Sequence, residues 1–184
     1  MSDPTTSQLD PASISTNSGN EPAIPKIKRI LAPLDLSEAS IHPLTYAIAI
    51  AEPLQAKLIL FHVGDLSSKG PQFGSVDFPA LEKQIRQETI EKLAELAERW
   101  IGARTPYEIH FRAGWPFGGK RPSHEIVEAA KELEVDLIVM GSHGHSGLVE
   151  HIIIGSSTER VIRNAPCPVL VARGDPSVVS GKSR

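Results

Sequence analysis

The sequence has little that would place the chain outside the cell or in a membrane. It contains one cysteine, Cys167, in 184 residues, which excludes an internal disulfide and fits a reducing compartment. Its first residues lack the basic and apolar segments of a secretory signal. Its apolar runs are also much shorter than the stretch of about 18 residues that a membrane span needs. We therefore predict a cytoplasmic protein that does not associate with membranes.

Basic residues are too few for a nucleic-acid-binding surface. The chain carries 19 Lys and Arg against 22 Asp and Glu, and its first 25 residues contain acids but no basic residue. The rest of the chain is therefore close to neutral. Duplex nucleic acid is bound through a basic face, so we expect no nucleic-acid partner.

The composition divides the chain into one folded domain and two tails. Residues 1–25 are rich in Ser, Thr, Pro, Asn and Asp, and such a segment buries too little apolar surface to offset the entropy lost on ordering. We predict a disordered N-terminal tail there and a flexible C-terminal tail at residues 174–184. Residues 26–173 remain as a single domain that is large enough for a proper core.

Short apolar runs alternate with segments of helical periodicity along the domain. The predicted strands are Ile27–Leu34, Lys57–Val63, Tyr107–Phe111, Asp136–Met140 and Pro168–Ala172. The predicted helices are Ser37–Glu52, beginning near Ser40 or kinked because of Pro43, then Asp77–Ile101, Ser123–Leu133 with Ser123 as its cap, and Ser156–Asn164. This alternation predicts an α/β fold with one open, mostly parallel sheet and helices on both faces. Ligands of such sheets bind at the carboxyl ends of the strands.

A glycine-rich segment, Gly141–Thr158, follows the fourth predicted strand and leads into the last helix. Its glycines allow tight turns, and the helix that begins after Gly155 presents free backbone N–H groups that favour a phosphate. The same residues also fit a capping box, in which Ser156 and Glu159 would satisfy those donors internally. The sequence leaves both interpretations open, and they are compatible with each other.

Asp35 follows the first predicted strand and is a second candidate for ligand contact. Its carboxylate could accept a hydrogen bond from a ribose hydroxyl or an adenine amine. Alternatively, Asp35 or Ser37 caps the next helix. The residues alone do not separate these two roles.

Other reactive side chains do not form a recognisable catalytic or metal-binding pattern. His143, His145 and His151 lie in or near the glycine-rich segment without supporting Cys or Asp residues, so we expect no metal site. No Ser-His-Asp or Cys-His arrangement stands out, and we predict no catalytic residue. The basic segment Gly118–Pro122 is either a solvated loop or a contact for anionic phosphates or a partner.

Four segments together resemble the universal stress protein family over Lys26–Arg173. They are PLDLSEAS, LFHV, HEIVEAAKELEVDLIVMGSHG and GSSTERVIRNAPCPVLVAR. The resemblance implies a Rossmann-like, adenine-nucleotide alpha-hydrolase-like sheet with strand order 3-2-1-4-5. It also implies a homodimer that pairs the last strand, Pro168–Arg173, with its copy.

Within that family, the resemblance places the chain in the branch that binds ATP through G-x2-G-x9-G-[ST]. This implies a stress-response switch or binding module with ATP, AMP or ADP as ligand and Mg²⁺ as a companion of the nucleotide. The nucleotide-binding residues carried over by position are Pro33, Leu34, Asp35, Val63, Met140, Gly141, His143, Gly144, Gly155, Ser156 and Ser157.

The chain departs from that pattern in two places. Ten residues, rather than nine, separate Gly144 from Gly155, and Phe117–Pro122 lengthens the loop before the third main helix. The first departure motivates an alternative function, a dimeric interaction module that binds no nucleotide. A slow ATP hydrolase is a further alternative.

Overall fold

The structure is a computed structural model, which describes residues 24–65, 77–114, 121–142 and 154–173. These described ranges contain five strands, β1 (Arg29–Pro33), β2 (Lys57–Asp65), β3 (Tyr107–Gly114), β4 (Leu137–Gly141) and β5 (Val169–Ala172). Within the same residues, four α-helices alternate with the strands, α1 (Ile41–Leu54), α2 (Phe78–Trp100), α3 (Pro122–Glu132) and α4 (Ser156–Asn164). The predicted tails lie outside the described residues apart from residues 24 and 25.

The strands form one sheet in the order β3-β2-β1-β4-β5. All four neighbouring pairs are parallel. The predicted fold class and strand order are therefore confirmed. Since the chain moves from β1 to β2 on one side and later to β4 on the other, the strand order reverses next to β1. The carboxyl ends of β1 and β4 border this switch point, where ligands of open α/β sheets bind.

Helices cover both faces of the sheet, which explains why its inner strands β2, β1 and β4 are largely apolar. On one face, α1 and α2 pack on alternate strand residues that include Ile30, Leu58 and Val139. On the other face, α3 and α4 pack on the intervening residues, such as Leu31 and Ile59. The central strand β1 is buried between the two layers, with Ile30 and Leu31 fully buried.

The structure confirms one predicted helix start and contradicts another. A 3₁₀ turn at Glu38–Ser40 precedes α1, so the expected start near Ser40 is confirmed. Pro43 lies in the first turn, where N–H groups have no intrahelical partner. The prediction that Ser123 caps α3 is wrong, because the N-cap is Arg121 and makes no side-chain cap bond. The helix starts earlier since Pro122, with its fixed φ, suits the first helical position.

β2 and β3 extend beyond their predicted ends at Val63 and Phe111. A glycine lies near each carboxyl end, and a Cβ on Gly114 would approach the carbonyl oxygen of Gly64 to 3.0 Å. The sequence pattern did not predict this extension, because glycine has no side chain that could continue an apolar pattern. The close approach of the two backbones explains why this part of the pair contains glycine.

Candidate functional site

A cavity of about 510 Å³ opens at the carboxyl ends of β1, β2 and β4. One part of its wall is apolar and comes from Pro33, Leu34, Pro43, Phe61, Val63, Pro122, Ile126 and Met140. The polar part of the wall comes from Asp35, Ser40, His62, Ser156, Ser157 and Thr158, with Gly141 and Gly155 between them. The volume lies within the range of about 300–1,000 Å³ that is common for small-molecule sites.

The structure brings together nine of the residues that the sequence predicted for a nucleotide site. These are Pro33, Leu34, Asp35, Val63, Met140, Gly141, Gly155, Ser156 and Ser157, and all of them line the cavity. The other two, His143 and Gly144, lie outside the described residues. His145, His151 and most of the Phe117–Pro122 insertion also lie outside, although Pro122 itself lines the cavity.

The turn after β1 places Asp35 at one end of the cavity. Asp35 Oδ1 accepts hydrogen bonds from the backbone N–H of Ser37 at 3.0 Å and from its hydroxyl at 2.6 Å. Between them, Leu36 has a φ of 63°, a left-handed conformation that a leucine rarely adopts. Asp35 therefore stabilises its own turn and does not cap α1. Within the described residues, no hydrogen bond reaches its second oxygen, Oδ2, which leaves that oxygen available to a donor on a ligand.

His62 is a cavity residue to which the sequence analysis gave no role. Its Nδ1 lies 2.7 Å from the carbonyl oxygen of Leu34. Because a carbonyl only accepts, Nδ1 carries the hydrogen. Burial lowers the pKa of His62, although the bond to Leu34 and the charge of Asp35 oppose this shift. The ring is therefore neutral at pH 7, and it ties β2 to the turn that carries Asp35. The one sequence signal that could have indicated a role for His62 is its position in LFHV, at the end of a predicted strand.

The junction between β4 and α4 forms the other end of the cavity. The N–H of Gly155 donates to the carbonyl of Ser142 at 2.8 Å, and the hydroxyl of Thr158 donates to the carbonyl of Gly141 at 3.0 Å. The N–H of Ser142 in turn donates to the carbonyl of Ala172 in β5 at 3.0 Å. These bonds fasten the first turn of α4 to the end of the sheet.

The capping box at the start of α4, one of the two interpretations that the sequence left open, does not form, because Ser156 is not the N-cap. Gly155 is the N-cap, with an extended φ of −68° and ψ of 152°, and it makes no side-chain cap bond. Ser156 is therefore the first helical residue rather than the cap. The sequence could not show this, because the position of the cap depends on the long-range bonds of Gly155 and Thr158. In consequence, no side chain among the described residues caps the N–H groups in the first turn of α4, which lies against the cavity.

Charge is sparse in the described wall of the cavity. Asp35 is its carboxylate, and no Lys or Arg belongs to the part of the wall that the structure describes. A search of the described residues finds no group of three or more His, Cys, Asp and Glu side chains that could hold a metal ion. An anion in this cavity would therefore be held by backbone N–H groups and hydroxyls.

No helix in the described ranges is long and apolar enough to cross a membrane. The fold and its cavity together define a Rossmann-like α/β protein whose cavity lies at the switch point of the sheet, where ligands of such folds bind. A profile described as the universal stress protein family matches residues 26–173. The chain therefore belongs to this family of stress-response proteins.

Curated relatives in archaea and bacteria agree with this membership. Universal stress protein MJ0531 of Methanocaldococcus jannaschii is 38% identical over 149 residues, which cover 79% of this chain and 82% of that protein. Universal stress protein YxiE of Bacillus subtilis is 31% identical over 156 residues, which cover 79% of this chain and 98% of that protein.

Solved structures share the fold over most of the chain. The structure of the M. jannaschii protein MJ0577 superposes with a TM-score of 0.67 and 30% identity, covering 82% of this chain and 98% of that chain. The universal stress protein UspA of Lactobacillus plantarum superposes with a TM-score of 0.63 and 28% identity, covering 82% and 100%. A universal stress protein solved in complex with cAMP, at 22% identity and a TM-score of 0.58, shares the fold.

Proposed function

We propose that the cavity binds an adenine nucleotide, with ATP as the expected ligand, and that the protein acts as a nucleotide-dependent stress-response switch or binding module. The observation that carries the proposal is the cavity at the switch point, which is bordered by the first turn of α4, a turn that no described side chain caps. Such a helix start attracts phosphate through its free N–H groups and its dipole. Family membership supports the same class of ligand.

In this proposal, the two ends of the cavity take different parts of the ligand. The adenosine part lies against Pro33, Leu34, Asp35 and Val63, where Asp35 accepts a hydrogen bond from an amine or hydroxyl. The ribose and phosphates lie along Met140, Gly141, Gly155, Ser156 and Ser157. His143 and Gly144 are expected to join them. Mg²⁺ enters only as a companion of the phosphates.

The direct test combines two measurements on the full chain. Small molecules released from the freshly purified protein are identified by mass analysis, and binding of ATP, ADP, AMP and adenosine is measured by titration calorimetry. We expect a bound adenine nucleotide and micromolar-range affinity for ATP. Absence of any adenine compound, together with no heat of binding and no thermal shift in ATP and Mg²⁺, would refute the proposal.

We also propose that the chain forms a homodimer through Pro168–Arg173. β5 is an edge strand of the sheet, and its residues Val169, Leu170 and Val171 are only partly buried. The carbonyl of Pro168 accepts a hydrogen bond from the N–H of Ile138 in β4, and the carbonyl of Ala172 accepts one from Ser142, directly after β4. Since alternate residues of a strand direct their backbone groups to opposite sides, Val169 and Val171 direct theirs outward, where a second copy could pair with them.

The substitution V171P tests this dimer without removing a bond to β4. Proline deletes an N–H that points away from the sheet, which an edge strand tolerates. We expect a monomer by light scattering, with an unchanged circular dichroism spectrum, whereas V171T stays dimeric. A wild-type protein that is monomeric at every concentration would refute the dimer but leave the nucleotide proposal intact.

A further inference from the structure

The hydroxyl of Thr158 joins two elements that are distant in the sequence. It donates to the carbonyl oxygen of Gly141 at 3.0 Å, across 17 positions of the chain, and Thr158 is 3% exposed. A threonine in a helix often bonds a carbonyl three or four residues earlier in the same helix. Thr45 does this in α1, where its hydroxyl donates to the carbonyl of His42 at 2.7 Å. Thr158 instead spans from α4 to β4.

This bond acts together with a second one at the same junction. The N–H of Gly155 donates to the carbonyl of Ser142 at 2.8 Å. A single bond would leave the first turn of α4 free to pivot about it. Two bonds, from the N-cap and from the third helical residue, define both the position and the rotation of that turn relative to β4. The N–H groups of Ser156 and Ser157 lie between these two attachments.

We infer that Thr158 is a positioning residue that makes the cavity selective for phosphorylated ligands. This inference rests on the proposed function. The hydroxyl is occupied by Gly141, so Thr158 acts through the backbone turn that it holds. The N–H groups of that turn would meet the phosphates, whereas the nucleoside part of the ligand would lie at Asp35 and Val63, which belong to other strand ends. Loss of the hydroxyl should therefore weaken the binding of phosphate and spare the binding of nucleoside.

The test compares three ligands and four proteins. Titration calorimetry gives the affinities of ATP, AMP and adenosine for wild type, T158V, T158S and T45V. T158V keeps the shape but lacks the donor, and we expect about a tenfold loss for ATP and AMP with adenosine unchanged. T158S restores the donor and should restore the wild-type ratio. T45V removes a hydroxyl that bonds only within its own helix, and it should change none of the affinities.

The outcomes separate positioning from a merely structural role. If T158V lowers the affinity for all three ligands in parallel, or leaves the ratio of ATP to adenosine unchanged, the inference is wrong. If T158V does not fold, T158A serves the same comparison, because it removes the hydroxyl while leaving space for a water molecule. A wild-type protein that binds none of the three ligands would instead refute the proposed function.

Discussion

The two ends of the cavity are built by opposite means. The acceptor end, residues 33–37, contains a carboxylate that is held by its own turn, with Ser37 donating to Asp35 and Leu36 in a left-handed conformation. The donor end, residues 141–142 and 155–158, is a helix start whose N–H groups receive no cap from a side chain in the described part of the chain. A ligand with donors at one end and negative charge at the other would match this polarity, so the proposed nucleotide has one expected orientation in the cavity.

The largest expected effect comes from placing a negative charge at the donor end. Ser156 is exposed, lines the cavity and is the first residue of α4. In S156D, a carboxylate near the phosphates would repel them by about 2–4 kcal/mol, so we expect a loss of ATP affinity of about 100-fold or more. The fold should be slightly stabilised, by about 0.3–1 kcal/mol, because an acid suits a helix N-terminus.

Calorimetry and thermal denaturation together check this prediction. The neutral variant S156N is the matched control and should bind ATP within a few-fold of wild type. If S156D bound ATP as well as S156N does, the donor end would not contact the phosphates.

A smaller effect is expected at the acceptor end. In D35N, the charge is lost while the shape is kept, and an asparagine can still stabilise the turn. We expect about a tenfold loss of affinity, because hydrogen bonds to charged groups contribute about 1.5–3 kcal/mol and the amide keeps part of this contribution. Unlike T158V, D35N should lower the affinities for adenosine and for ATP by the same factor. A loss of affinity for ATP alone would contradict the division of the cavity into two ends.

The pH dependence of stability tests the link between β2 and the acceptor end. Burial lowers the pKa of His62 from its ordinary value of 6.5, so the unfolded chain binds a proton more readily than the folded one. Stability should therefore fall as the pH drops through 6.5 toward the lower folded-state pKa, and level off below it. Urea unfolding at a series of pH values measures this, and H62N, which keeps a donor for Leu34, should flatten the curve in that window.

The smallest effect is expected at the opposite end of the sheet. Burial raises the pKa of Glu108, but the hydrogen bond from Lys57 and the charges of Lys57, Arg29 and His110 outweigh this and lower it. These groups are partly exposed, so E108Q should cost only about 0.2–1 kcal/mol of stability. The ATP affinity should not change. A measurable change of the ATP affinity in calorimetry would contradict this and would mean that the cavity depends on contacts at the far end of the sheet.

The sequence was sufficient to predict the fold and the edge of the sheet that holds the cavity. Apolar runs such as Lys57–Val63 identified the strands, since parallel strands are buried on both faces. Polar and glycine residues that follow strands, such as Asp35 and Gly141, then indicated where a ligand would lie. These signals depend on local pattern and on parallel topology, both of which can be read from the chain.

The details that depend on three-dimensional contact could not be predicted. The N-cap at Gly155 and the bond from Thr158 to Gly141 require β4 and α4 to be placed together. The strand pattern around His62 does not show whether its ring forms a hydrogen bond to a neighbouring turn or only packs in the core. The left-handed Leu36 has no sequence signal, because this conformation is typical of glycine or asparagine. Binding by the predicted site residues remains a prediction.

The bond between Gly155 and Ser142 has a consequence for the length of the connection between them. Ser142 and Gly155, the described residues before and after this segment, are joined directly by a hydrogen bond, so the two ends of the connection are held together. The entropy of closing such a loop changes slowly with its length. The extra residue between Gly144 and Gly155 can therefore alter the connection without displacing α4.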